Sequence, residues 1–147
     1  YAYIHARYNA FPGAQVGTPR PGGGYTVALG DATGNTVQLT PTHSISLVGD
    51  YTTPLASGEL KLTANYTFNS RYFQEPDNQA RQPAYSLVGA SAKWTSESGL
   101  SISIWGKNLT KEAVATIGGI QTFGGLGFER AAFSPPRTYG FTLGKEF

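Results

Sequence analysis

Arg71, Gln74, Glu75, Asp77, Asn78, Arg81 and Gln82 crowd one short stretch of the chain, and Arg130 and Arg137 flank another segment near its end. Arginine presents paired N–H donors that match the oxygens of a carboxylate or phosphate. Arg71, Gln74, Asp77, Arg81 and Arg130 are therefore candidate contacts for an anionic small-molecule ligand. The same residue types also suit a solvated outward-facing loop, and loss of ligand capture on Arg71→Ala or Arg81→Ala separates the two readings. Other chemistry finds less support. Cysteine is absent, which removes thiolate metal sites and cysteine nucleophiles. His5 and His43 are far apart and lack spaced partners, so no metal site is expected. The serines show no arrangement with a nucleophile beside an oriented base, so no catalytic residue and no enzyme activity are expected. Gly22-Gly23-Gly24, Gly118-Gly119 and Gly124-Gly125-Leu126-Gly127 lack the Lys-Ser/Thr and following helix of a phosphate cradle and are expected to be loop backbone. Asn65-Tyr66-Thr67 and Asn108-Leu109-Thr110 fit the glycosylation pattern but fall on expected strands. No cofactor is expected.

The elements that would hold these residues are legible in composition and periodicity. The chain has 147 residues, no methionine, and an opening Tyr1-Ala2-Tyr3, so it is expected to be part of a longer or processed polypeptide. Charged residues are 14% of the total, against ~25% in ordinary soluble domains, and glycine, with 19 residues, is well above its usual ~7% share. Aromatic residues make up 13%, too many for a solvated linker. The formal charge of +2, from scattered Lys and Arg, is too small for a nucleic-acid footprint, so no nucleic-acid partner is expected. No apolar run approaches the ~18 residues of a membrane helix, but a closed β-barrel crosses lipid with strands that show only alternation.

That alternation is present. Leu60, Leu62, Ala64, Tyr66 and Phe68 interleave with Lys61, Thr63, Asn65, Thr67 and Asn69, and a period of two places the apolar set on one face. Similar runs occur around Ile45–Tyr51, Val88–Trp94, Leu100–Ile104 and Tyr139–Leu143, with a weaker one over Ala2–Tyr8. Six strands near 1–11, 43–54, 59–70, 84–95, 100–111 and 136–147 are predicted, with no helix. Their connections alternate: long at 12–42, 71–83 and 112–134, short between. In an antiparallel meander, all long loops then emerge at one end and all tight turns at the other, as in outer-membrane barrels. A ten-residue strand tilted by ~45° spans roughly 23 Å, close to the ~25 Å apolar band of such barrels. Tyr8, Phe11, Tyr66, Phe68, Tyr72, Phe73, Tyr85 and Tyr139 fall toward the long-loop end, and Tyr51, Trp94 and Phe147 toward the other, two aromatic belts with aliphatic residues between.

Three segments carry a family resemblance. Pro136-Arg137-Thr138-Tyr139-Gly140-Phe141-Thr142-Leu143-Gly144-Lys145-Glu146-Phe147 resembles the closing strand of TonB-dependent outer-membrane receptors. Ile102-Ser103-Ile104-Trp105-Gly106-Lys107-Asn108-Leu109-Thr110-Lys111 is similar to the family's preceding strand, with its Asn-Leu-x-Asp/Asn-Lys ending. Tyr66-Thr67-Phe68-Asn69-Ser70-Arg71-Tyr72-Phe73 resembles the approach to an outer loop, and Gln82-Pro83-Ala84-Tyr85 its return. Together they cover about the last 90 positions.

The resemblance implies an all-β, antiparallel up-and-down transmembrane barrel of about 22 strands, of which residues 1–147 supply about six. It further implies an N-terminal plug, coupling to the TonB complex, uptake of a scarce ligand such as a siderophore, vitamin or sugar, and residence in the outer membrane of a Gram-negative bacterium. The expected partners are outer-membrane lipid and lipopolysaccharide, the plug and remaining strands, the small-molecule ligand, and the barrel-assembly machinery. The resemblance also makes Tyr139, Phe141, Leu143 and Phe147 the assembly signal, with Lys145 departing from the apolar pattern. The competing reading is a soluble secreted β-sandwich or carbohydrate-binding module, in which Leu62, Ile104 and Phe141 would lie beneath a second sheet.

Overall fold

The computed structural model describes residues 1–123 and 126–146; Phe147, expected to end an assembly signal, and the glycines Gly124 and Gly125 lie outside the described residues. Twelve strands and no helix occur among the described residues: β1 (Ala2–Tyr3), β2 (Pro12–Pro19), β3 (Tyr25–Asp31), β4 (His43–Pro54), β5 (Gly58–Asn69), β6 (Tyr72–Phe73), β7 (Arg81–Gln82), β8 (Tyr85–Ser96), β9 (Leu100–Lys107), β10 (Ala115–Phe123), β11 (Leu126–Phe133) and β12 (Thr138–Lys145). They form a six-stranded sheet ordered β1-β4-β5-β8-β9-β12, a four-stranded sheet ordered β10-β11-β3-β2, and the two-stranded β6-β7 ladder. By contact density the chain divides into two compact units, one of residues 1–44, 69–85 and 113–134, the other of residues 45–68 and 86–112 and the segment from Pro135 onward.

The second unit follows directly from period-two alternation. Ala92 pairs with Ile104, which pairs with Phe141; Trp94, Ile102 and Leu143 form the next row. The intervening positions pair Lys93 with Ser103 and Ser103 with Thr142, so polar and small side chains share the opposite face. On that polar face Asp50 accepts a hydrogen bond from the Thr63 hydroxyl at 2.5 Å and lies 3.7 Å from Lys61 Nζ. The apolar face is open: Leu62 is 39%, Ile104 62% and Phe141 74% exposed. Side chains of this size stabilise a water-soluble fold only when covered. The sandwich reading requires Leu62, Ile104 and Phe141 to be covered, and their exposure is contrary to it.

The first unit departs from the six-strand expectation. Residues 12–42 and 112–134, expected as long loops, contain the hairpins β2–β3 and β10–β11, joined where Leu126 pairs with Thr26 and Gly127 with Tyr25. Tyr25, Val27 and Leu29 do alternate with Thr26, Ala28 and Gly30, but glycine and proline dilute the pattern in β2 and β10. Gly118 and Gly119, expected as loop backbone, are strand residues of β10 paired with Ala131 and Arg130. Gly22–Gly24 remain in a connection: Gly23 N–H donates to the Arg20 carbonyl and Arg20 N–H to the Gly24 carbonyl. Gly24 has φ +72°, and a Cβ there would lie 2.8 Å from the Gly127 carbonyl oxygen, so only glycine closes this turn against β11.

The first expected strand is also shorter than residues 1–11. Only Ala2 and Tyr3 pair with β4, opposite Ser44 and His43. Residues 4–11 instead bond irregularly to 32–42, through Ile4 N–H to Thr42 O, Val37 N–H to Ala6 O and Ala32 N–H to Phe11 O. The buried apolar residues are small ones, Ala14, Ala32, Ala80, Val114 and Ala115, all in this unit. Its cohesion therefore depends heavily on hydrogen bonds.

Candidate functional site

The segment between β5 and β8 organises the first unit. Glu75-Pro76-Asp77-Asn78 forms a tight turn closed by Asn78 N–H on the Glu75 carbonyl at 3.2 Å, with proline at the position whose φ it presets. Asp77 Oδ1 accepts from Gln79 N–H at 3.1 Å, and Asn78 takes the left-handed φ of 57° that asparagine tolerates. Gln74 N–H reaches the Ala80 carbonyl at 2.8 Å, and the β6–β7 pairs Tyr72–Gln82 and Phe73–Arg81 complete the base.

From this turn, side chains reach backbone groups of both hairpins. Asp77 Oδ2 accepts from the Gly17 amide of β2 at 2.9 Å. Glu75 Oε2 accepts from the Ile120 amide of β10 at 2.7 Å. Gln74 Nε2 donates to the Ala115 carbonyl at 3.1 Å, while Gln82 Oε1 accepts from the Ala115 amide at 2.7 Å. Asn78 makes a two-way bond with the Thr36 backbone, 2.9 Å in each direction, and Asn35 Nδ2 donates to Pro76 O at 2.9 Å. Gln74, Asp77 and Gln82 are buried, so each bond replaces water at a group that would otherwise be stranded. The result is a polar clasp holding two hairpins to one turn.

Two small hollows border the clasp, one of about 230 Å³ between Gln15, Gly17, Val27 and Asp77, the other of about 250 Å³ between Glu75, Ile117, Gly119 and Arg130. Burial pushes the Glu75 carboxyl above its ordinary pKa; the Ile120 amide pulls it back down, and the negative charges of Asp77 and Glu129 add to the rise.

Of the residues expected to contact ligand, Gln74 and Asp77 are buried and spend their polar atoms on the chain itself. Arg81 is exposed on β7, and Arg130 is exposed on β11 opposite Gly119, beside Glu75. Arg71 is exposed in a different hollow, with Arg7 and His43. Tyr139, Phe141 and Leu143, expected to belong to an assembly signal, share one face of β12 and are 78%, 74% and 64% exposed. Sequence reasoning did not identify Gly17, Asn35, Gln82 or the Ala115 and Ile120 amides as partners of the clasp. The Glu-Pro-Asp-Asn turn was the one local signal that a structured element stood there.

Residues 1–109 match the family model described as TonB dependent receptor-like, beta-barrel. The chain belongs to that family. Its sheet shares the fold of larger TonB-dependent receptors. One is the ferric yersiniabactin uptake receptor FyuA from Yersinia pestis, with a TM-score of 0.66 and 20% identity over 82% of this chain and 19% of that one. Another is BauA, the ferric preacinetobactin receptor from Acinetobacter baumannii, with a TM-score of 0.55 and 23% identity over 76% of this chain and 16% of that one. The chain thus spans less than a fifth of the length of either receptor. No curated protein sequence matches it.

Proposed function

We propose that this chain forms barrel wall and outer loops of a Gram-negative outer-membrane receptor that imports a scarce small ligand, with a ferric siderophore as the first class to test. The open apolar face of the six-stranded sheet carries the reading: Ile104 and Phe141 suit hydrocarbon, while Ser103 and Thr142 on the other face suit a wet barrel interior. The siderophore class draws support from the two ferric-siderophore receptors that share the fold.

In this reading the hairpins and the clasp turn capture ligand at the outer mouth, the plug rearranges under TonB pull, and the wall stays a rigid frame. Arg81 and Arg130 are exposed donors for an anionic ligand, and Gln74 and Asp77 shape the mouth by holding β2 and β10. The proposed partners are the plug and remaining strands, the TonB complex, outer-membrane lipid and the barrel-assembly machinery, which would read Tyr139, Phe141, Leu143 and Phe147. The reading assigns the chain transport and no catalysis.

Growth of a receptor-deletion strain under iron limitation tests this directly. Full-length receptor should restore ferric-siderophore uptake only when TonB is present, and Arg81→Ala with Arg130→Ala should impair uptake at a normal outer-membrane level. Uptake independent of both receptor and TonB overturns the siderophore assignment. Recovery of the receptor from the soluble fraction overturns the barrel reading itself.

A further inference from the structure

A hollow of about 360 Å³ in the first unit is walled by residues 4–7, Thr36, Thr42, His43, Ser70 and Arg71, with Phe73 at one side. Its chemistry is one-sided. Arg7 commits one guanidinium N–H to the Gly34 carbonyl at 2.7 Å and keeps its other donors. Arg71 is exposed and its guanidinium has no hydrogen-bond partner among the described residues. The hydroxyls of Thr36, Thr42 and Ser70 and the imidazoles of His5 and His43 add further polar atoms. Among the described residues no carboxylate lines the hollow, and the one ion pair, Lys61 with Asp50, is elsewhere. Donors thus converge from three separate segments, 4–7, 36–43 and 70–71. That arrangement suits a tetrahedral oxyanion with oxygens on several sides better than a flat carboxylate with two.

The surroundings indicate the source of that oxyanion. Tyr1 and Tyr3 are 79% and 59% exposed, and both rings lie against His43, at 6.2 Å stacked and 5.3 Å tilted. The Tyr1 hydroxyl meets His43 Nδ1 at 3.0 Å, which fixes the imidazole at the hollow's edge. Ile4, at the same edge, is 46% exposed. Exposed tyrosines and an aliphatic side chain beside a basic hollow match a membrane–water interface, where rings sit among headgroups and cations meet phosphate.

We propose that this hollow binds a phosphate of an outer-leaflet lipid headgroup, with Arg7 and Arg71 donating to its oxygens, Thr36 and Thr42 adding hydroxyl bonds, and Tyr1, Tyr3 and Ile4 against the lipid. The assignment rests on the reading that the chain belongs to an outer-membrane barrel.

Full-length receptor in detergent, titrated with an acylated diglucosamine bisphosphate, with the same lipid stripped of phosphate, and with inorganic phosphate, tests it by native mass spectrometry. The phosphorylated lipid should bind at least about tenfold tighter than the stripped one, the order expected for one charge-assisted hydrogen bond. Arg71→Gln removes a side chain with no internal hydrogen bond, so it should fold normally and lose most of that preference. Arg7→Gln with Arg71→Gln should abolish it, and Arg71→Lys should retain part. Equal binding of the two lipids, or an unchanged preference in folded Arg71→Gln, overturns the site. Inorganic phosphate binding as tightly as the lipid overturns the lipid source. Failure of the barrel reading registers separately, as wild-type receptor absent from the outer-membrane fraction.

Discussion

Replacing Asp77 by alanine should release the β2–β3 hairpin while leaving the six-stranded sheet intact. The buried Asp77 carboxylate accepts from two amides, Gly17 at 2.9 Å and Gln79 at 3.1 Å. Gly17 is itself buried, so its amide has no access to replacement water without local opening. A hydrogen bond to a charged group contributes roughly 1.5–3 kcal/mol, and a buried donor left unpaired costs about 1–3 kcal/mol. Against this, removing the Asp77 charge relieves repulsion on Glu75, whose pKa it helps raise. A net loss of ~2–3 kcal/mol is the reasonable expectation, which corresponds to an opening equilibrium shifted about 30- to 150-fold. Amide hydrogen exchange on the full-length receptor reads this residue by residue: Gly17 and the Val16–Ala28 and Gly17–Val27 pairs of β2–β3 should exchange faster, and the β9–β12 amides should not. Asp77→Asn keeps one oxygen acceptor and should lose less. Unchanged exchange at Gly17 in a folded Asp77→Ala receptor would refute the clasp, and equal acceleration across β9–β12 would show a global effect instead.

Further outcomes follow from the same structure. Because burial raises the Glu75 pKa, its ionised form costs stability at pH above the raised value; that cost eases as pH falls through it and is gone below the ordinary value near 4.5. Ile120 amide exchange, corrected for intrinsic rates, should therefore slow on acidification from neutrality, and Glu75→Gln should flatten the dependence; a flat wild-type profile refutes it. Ile104→Arg places a charge on the apolar face and should lower receptor stability by roughly 2–4 kcal/mol in vesicle refolding, whereas Ser103→Arg on the opposite face should cost little; equal effects would deny that lipid touches Ile104. Deletion of Phe147 should reduce the outer-membrane level of full-length receptor, and an unchanged level would count against the C-terminal assembly signal.

The six-stranded sheet was readable from one dimension because its information is local. Leu62, Ile104 and Phe141 sit two residues from others of their kind, and a period of two assigns a face without knowledge of any partner strand. The absence of helix among the described residues and the paired faces of β8, β9 and β12 followed from that alone. The hairpins in 12–42 and 112–134 were not legible, because glycine at 13, 17, 30, 118, 119 and 127 supplies no side chain to mark a face. Gly17 and Gly127 are glycine where neighbouring side chains fill the space: a Cβ at Gly17 would lie 3.2 Å from the Asp77 carboxylate, and one at Gly127 would lie 2.8 Å from Val27 Cγ2.

The candidate ligand residues divide along the same line. Arg81 and Arg130 stand exposed, as their residue types suggest, but Gln74 and Asp77 are buried against Ala115 and Gly17, 41 and 60 positions away. Residue type alone records that a side chain can accept or donate a hydrogen bond. Which amide it satisfies depends on strands brought together from distant parts of the chain, and that pairing exists only once the backbone has folded.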